Sequence, residues 1–329
     1  MSEHPFAQYV RILGKGPHLS RPLTLEETRA AGGMIMRGAV EPIQLGAFLC
    51  LLRVKTETPA EMAGFSLAVR DHLDLPKPAT PVDVDWPSYA GKARRAPLFI
   101  LAALLLAQNG VRIAMHGTEG HTAGRLYTKE TLAGLGIPPA ESLTEAATAL
   151  DRHNFAYVPL ELLHPRLPEI MALKRFLGLR SPLHSVLRHI NPFDAKLTMI
   201  SVFHPNYRPV HRDAAMLMGM GDVACFKGDG GEVERRPEKP CVIEGVSGGA
   251  AYEEEWPALI ETIDAELPLE PEFLAALWRG ESHHPVAETI VTATAALVLR
   301  HLGRADNPTE ADELARHLWM GRRRDSLAA

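Results

Sequence analysis

The chain has 329 residues, 46% of them hydrophobic, and a formal net charge of −5. That size allows a large core and about two domains. The longest apolar run, residues 96–107, is too short to span a bilayer, and the N-terminus lacks a basic region followed by an apolar one, so a soluble cytoplasmic protein is expected. Three widely spaced cysteines, Cys50, Cys225 and Cys241, predict free thiols in a reducing compartment. The net charge argues weakly against nucleic acid, but it is uneven: −1 over residues 1–85, +6 over 86–215 and −10 over 216–329. A basic middle in an acidic chain suggests a polyanion-facing surface.

Residues 1–75 read as all-helical. Thr24 is a good N-cap, with Glu26 and Glu27 in the first turn opposing the helix dipole, and Gly38 stops that helix. Pro42 opens a second helix through Leu45, Phe48, Leu49 and Leu52. Thr58 with Glu61 three residues on forms a capping box for a third, whose buried stripe is Met62, Phe65 and Val69. The apolar faces carrying Met34, Ile35, Phe48 and Leu49 exceed what so small a unit buries alone, which predicts a homodimer through it. Three prolines in LPKPATP, residues 75–81, predict a stiff linker. The expected division is a helical domain over 1–75, joined by helices near 168–190, a linker over 76–81 and an α/β domain over 82–329.

Residues 82–117 read as strand, loop, helix, strand. The first strand is Val82 to Val84, and residues 87–91 carry loop chemistry. Leu98 to Ala107 is a buried helix closed by Asn109-Gly110, and Val111 to Met115 is the next strand. Ligands of such units sit at the loop that opens the helix. This loop offers Lys92, Arg94 and Arg95 in place of a glycine cradle. The glycine-rich turn from His116 to Arg125 holds His116 and His121. No cysteine or second carboxylate stands at ligand spacing, so a polar loop is expected there rather than a metal.

Helices follow over 128–135 and 143–152, a strand over 155–158 and a helix over 168–177 closed by Gly178. Between Leu173 and Pro192, Lys174, Arg175, Arg180, His184 and Arg188 recur at spacings that can share a helical face. A strand over 195–203, a helix over 210–220, a strand over 222–226 and a turn over 227–231 come next. Glu253 to Glu255 reads as a solvated acidic run. Helices over 286–302 and 309–320 precede Arg322, Arg323 and Arg324, which fit either a polyanion contact or the charge a helix C-terminus favours.

The order of parts, with LRVKTETPAEMAGF at residues 52–65, the proline linker, His116-Gly117 and the stretch from Lys174 to Asn191-Pro192, resembles anthranilate phosphoribosyltransferase and the related pyrimidine nucleoside phosphorylases. The resemblance covers about residues 8–325. It implies an α/β fold: a helical N-terminal domain plus a larger α/β domain with a mostly parallel central sheet. The departures concern the chemistry. The family's GTGGD pyrophosphate loop corresponds to DWPSY, residues 85–89, where tryptophan, proline and tyrosine supply no positive-φ cradle. The lysine of Lys-His-Gly becomes Met115, and Asn-Leu-Leu-Gly-Pro becomes residues 184–188. The adjacent acidic pair that binds magnesium falls near Glu232 and Glu234, which are not adjacent. Arginines that contact substrate in the family match Arg175 and Arg180.

PSYAGKAR and GDGGEVE look like the YbiB-like branch of this family. That branch implies a catalytically degenerate homodimer that binds nucleic acids with little sequence preference. On that reading Lys92, Arg94, Arg95, Lys174, Arg175, Arg180 and Arg188 contact phosphates of single- or double-stranded DNA or RNA. Trp86 and Tyr89 stack on bases, and His116, Gly117 and Asn191 are a vestigial substrate site. No cofactor is expected. Two alternatives stay open. One is a glycosyl or phosphoribosyl transferase acting on another phosphorylated substrate, which would need magnesium. The other is a structural paralogue whose basic residues pair with the acidic last third.

Overall fold

The computed structural model describes residues 2–120, 122–263 and 267–327. Four helices come first: α1 Ala7–Gly14, α2 Leu25–Met36, α3 Pro42–Lys55 and α4 Pro59–Arg70. Their ends follow local chemistry. Thr24 Oγ1 accepts from Glu27 N at 3.1 Å while Glu27 Oε2 accepts from Thr24 N at 2.9 Å, and Thr58 and Glu61 repeat that box at α4. Such reciprocal caps satisfy backbone donors that the first turn leaves open.

The helix α3 has two apolar stripes. Leu45, Phe48, Leu49 and Leu52 face inward. Ile43 and Val54, 81% and 79% exposed, lie three turns apart on the opposite side, with half-buried Ala47 and Cys50 between them. This corrects the grounds for expecting a dimer. Ile35, Phe48 and Leu49 are fully buried within the chain, in one core with Leu167, Ile170, Leu183, Val186 and Ile190. Helices from the middle of the chain cover the apolar faces that looked orphaned.

The rest builds one sheet flanked by helices. In chain order the elements are β1 Val84–Ser88, α5 Phe99–Gln108, β2 Ile113–Gly117, α6 Thr128–Gly134, α7 Leu143–His153 and β3 Phe155–Pro159. The short helices α8 Leu160–Leu163, α9 Arg166–Ala172, α10 Lys174–Leu177 and α11 Leu183–Val186 follow. Then come β4 Leu197–Val202, α12 Arg208–Leu217, β5 Asp222–Lys227, β6 Cys241–Ser247 and β7 Ala250–Trp256. The helices α13 Pro271–Arg279, α14 Pro285–His301 and α15 Pro308–Met320 complete the chain.

The strand order is β3-β2-β1-β4-β5-β6-β7. The first five strands are parallel, and β6 and β7 form an antiparallel edge. The chain winds outward from β1 to β3, then returns to β4 on the other side of β1. The strands β1 and β4 pair only at Val84–Leu197 and Asp85–Thr198. They part toward their carboxyl ends, where crossover sheets of this type open a ligand crevice.

Alternation decides what faces where. Val84, Trp86, Ile113, Met115, Leu197 and Met199 point to the side covered by α5 and α14. Ala114, Ala156 and Val158 point to the helical side. The first strand therefore runs on through Ser88 instead of stopping at Val84. Trp86, expected in a loop, is a strand residue with its ring stacked on Phe99, centroids 6.4 Å apart.

Two other expectations change. The helix over 168–177 divides at Leu173, and Gly178 takes a left-handed conformation (φ 70°). The residues 174–188 thus lie on separate short turns rather than along one helical face. The β6–β7 hairpin closes through Gly248 and Gly249, both at positive φ. The acidic run lies on its second strand, where Glu253 and Glu255 are exposed as expected, while Glu254 binds Arg300 at 2.9 Å and accepts from Trp256 Nε1 at 2.8 Å. All three cysteines are unbridged. Among the described residues no helix is long and apolar enough to cross a membrane.

Candidate functional site

At the carboxyl end of β1 the chain turns through Tyr89, Ala90 and Gly91. Gly91 has φ 68°, and a Cβ there would stand 2.8 Å from the Tyr127 ring, so glycine is required. The turn aims two backbone donors at one point, as an anion nest does. That point is filled from within the chain. Glu232 Oε1 accepts from Ala90 N and Gly91 N, both at 2.6 Å, and Oε2 accepts from Ser88 Oγ at 2.9 Å. Glu234 repeats the pattern at the start of α5, accepting from Phe99 N at 3.0 Å and from Lys92 Nζ at 2.6 Å. Lys92 also meets Asp229.

These side chains are buried: Lys92 is 2% exposed, and Glu232 and Glu234 are each 1% exposed. Burial opposes the Lys92 ammonium, but Glu234 and Asp229 outweigh it and raise its pKa. Burial pushes the Glu234 carboxyl up, with Lys92 opposing. Lys92 is therefore an internal ion-pair residue and not part of a surface. Glu232 and Glu234 commit their oxygens to protein donors.

The other predicted site residues of the interior are enclosed by the protein. Trp86 is fully buried and Tyr89 is 1% exposed, so neither presents a face to a base. The Tyr89 hydroxyl lies 2.6 Å from His116 Nδ1, and His116 Nε2 lies 3.0 Å from Asp85 Oδ1. A Cβ on Gly117 would meet the Ser88 carbonyl at 2.2 Å, so this position needs glycine for packing. Asn191 uses both ends of its amide on the Ala195 backbone, at 2.8 and 2.9 Å. Arg188, 9% exposed, donates to the carbonyls of Ser201 at 2.8 Å, Gly231 at 3.2 Å and His184. It braces the floor of the crevice. In the tail, Arg322 donates to the carbonyls of Trp278, Trp319 and Leu277. It is a structural cap. His121 lies outside the described residues.

Of the remaining predicted basic residues, Lys174 and Arg180 meet at the mouth. Lys174 Nζ and Arg180 Nη2 both reach Thr122 Oγ1, at 2.9 and 3.3 Å. Arg125 donates to the carbonyls of Ala90 and Gly91, at 2.7 and 3.0 Å. Burial lowers the pKa of Lys174, and the neighbouring Arg180 and Arg125 lower it further. Burial, then Arg125, and more weakly Arg53, lower that of Arg180. Other basic residues of the middle are paired, Lys129 to Glu161 and Arg166 to Glu169. Among the described residues no carboxylate lies within 4.0 Å of the guanidinium of Arg53, Arg125 or Arg180. Arg94 and Arg175 are exposed and Arg95 is half-buried.

Beside this cluster a cleft of about 100 Å³ is lined by Arg53, Arg180, His184, Arg188, Phe203 and Tyr207. Sequence reasoning missed Arg53, Arg125 and Phe203. For Arg125 a signal existed, a cation in the loop that follows a parallel strand. For Arg53 none did, because only tertiary packing brings α3 to the crevice.

Residues 7–73 match the family described as glycosyl transferase family, helical bundle domain. The chain is 30% identical over 239 residues to the protein YbiB of Escherichia coli K12, spanning 71% of this chain and 74% of that one. It is 27% identical over 288 residues to an anthranilate phosphoribosyltransferase of Oleidesulfovibrio alaskensis, spanning 80% and 86%. The fold matches anthranilate phosphoribosyltransferase (TrpD) from Thermus thermophilus with a TM-score of 0.81 at 21% identity, over 96% of this chain and 94% of that one. It also matches the Saccharomyces cerevisiae enzyme in complex with PRPP and Mg, with a TM-score of 0.77 at 16% identity, over 97% and 94%.

Proposed function

Since the chain belongs to the anthranilate phosphoribosyltransferase-like superfamily, we propose that it uses that fold to hold nucleic acid and not to transfer ribose. On this reading it binds single- or double-stranded DNA or RNA through the phosphate backbone, with little sequence preference. The observation that carries the reading is a contrast in charge pairing. The cradle donors and Lys92 are neutralised by Glu232, Glu234 and Asp229, whereas the guanidinium groups of Arg53, Arg125 and Arg180 have no such carboxylate among the described residues. Clustered like charges repel one another, and a polyanion relieves that repulsion. Phosphate contacts fix position without reading bases, hence the absence of sequence preference. A phosphoribosyl donor would first have to displace two buried carboxylates and leave Lys92 without its partners, which is costly.

The outer stripe of α3, centred on Ile43 and Val54, is our proposed contact for a homodimer. The free thiols fit a cytoplasmic setting.

Gel-shift titrations at low salt, using unrelated sequences as single strands, duplexes and RNA, test the reading. Comparable affinity across sequences is expected, together with no phosphoribosyl anthranilate formed from phosphoribosyl pyrophosphate and anthranilate. Absence of binding to every probe would overturn it and favour a transferase acting on another phosphorylated substrate.

A further inference from the structure

The exposed aromatic side chains extend the account from phosphates to bases. The large exposed hydrophobic residues among those described include two phenylalanines, Phe176 at 72% and Phe203 at 56%. The Arg175 guanidinium lies over the Phe176 ring, 4.6 Å from its centroid, so a cation already occupies a face there. Among the described residues Phe203 has no cation over its ring; it meets the His204 ring edge to face, centroids 4.9 Å apart, and is still more than half exposed. It directly follows β4, at the carboxyl edge where β1 and β4 part, and it lines the cleft with Arg53, Arg180, His204 and Tyr207. The aromatic residues on the parallel strands, Trp86, Phe155, Tyr157 and Phe226, are buried.

We propose that Phe203 is a stacking surface for one unpaired base, so that the crevice engages a single strand through a base as well as through its phosphates. The inference rests on the nucleic-acid reading above. A phenyl ring more than half in water gains by covering a flat π face, and a base offers one while its phosphates lie within reach of the cations on the rim. Every base has such a face, so this contact adds strand preference without adding sequence preference. Duplex bases already stack on their neighbours and leave Phe203 unused.

The test compares Phe203→Ala, Phe203→Leu and Phe203→Trp with the wild type. The probes are fluorescein-labelled oligothymidine and a duplex of equal length, followed by anisotropy. Single-strand affinity should fall on the order of tenfold in the alanine and leucine variants and return in the tryptophan variant. Duplex affinity should stay constant in all three, and the salt dependence should not move, because no phosphate contact is lost. Single-strand affinity unchanged in F203A, or an equal loss on the duplex, would overturn the inference while leaving backbone binding intact. If the wild type binds neither probe, the nucleic-acid reading itself fails, and this inference with it.

Discussion

Lys92 and Arg94 stand two positions apart and look alike in the sequence, yet they have opposite fates. Lys92 is enclosed by Asp229 and Glu234, and the Glu234 partner lies 142 residues further along the chain. Removing one partner of a buried ion pair leaves uncompensated charge, so Lys92→Met should cost about 3–5 kcal/mol in urea unfolding. Arg175→Ala, an exposed change, should stay within about 0.5 kcal/mol. Equal, small effects would show that the Lys92 pair is not structural. Glu232→Ala should vacate the cradle formed by Ala90, Gly91 and Ser88. Inorganic pyrophosphate should then raise the melting temperature of the variant and leave the wild type unmoved. A wild type stabilised as strongly would mean that the cradle is not filled by Glu232. At this scale the sequence showed that the loop was basic and lacked a backbone cradle rich in glycine. It could not show which cations were paired, because pairing depends on side chains distant in sequence.

At the scale of elements, helix ends were legible and strand ends less so. Thr24, Thr58 and Pro42 act on their own first turns, so the caps follow from a few adjacent residues. The end of β1 depended on pairing with β2, which continues through Ser88 and Gly117. A local reading of Pro87 as a loop residue therefore misplaced Trp86. Tertiary packing also created a feature with no sequence signature. His189, in the turn after α11, and His211, in α12, stack with ring centroids 4.7 Å apart and an angle of 12°. Burial lowers the pKa of His189 to about 4 and that of His211 well below its usual value. Between the ordinary histidine value and about 4, the unfolded chain binds protons that the folded chain does not, so stability is lost as pH falls through that window. Unfolding titrations at pH 7 and pH 5 should show a loss of a few kcal/mol. The slope should flatten in a His189→Asn/His211→Asn double variant. An unchanged slope would assign the pH dependence to other groups.

For the whole molecule, the net charge of −5 conceals where the charges lie. Part of the acidic last third is turned inward: Asp312 binds the fully buried Arg235 at 3.0 Å, and Glu232 and Glu234 fill the cradle. Of the basic residues of the middle, Lys92 and Arg188 are buried, Arg125, Lys174 and Arg180 meet at the crevice mouth, and Lys129, Arg166, Lys196, Arg208 and Arg212 pair with carboxylates elsewhere, which a count along the chain could not separate. The architecture itself was legible from the resemblance and from the alternation of strands and helices after residue 82. The arrangement of the mouth was not, because it joins α3, the loops after β1 and β2, and the turns near 174–180. If the outer stripe of α3 joins two copies, Ile43→Lys/Val54→Lys should convert a dimer to a monomer in light scattering while the helical content is kept. A wild-type monomer at micromolar concentration would remove that contact from the account.

The central claim is that the cations at the crevice mouth track phosphates. It is tested most directly by the salt dependence of single-strand affinity in the wild type and in an Arg125→Ala/Lys174→Ala/Arg180→Ala variant. Each phosphate contact contributes about 0.7 to the slope of log affinity against log salt for a single strand. The variant should bind more weakly with a slope shallower by about 2, equally for unrelated sequences. Equal affinity and an unchanged slope would contradict the claim.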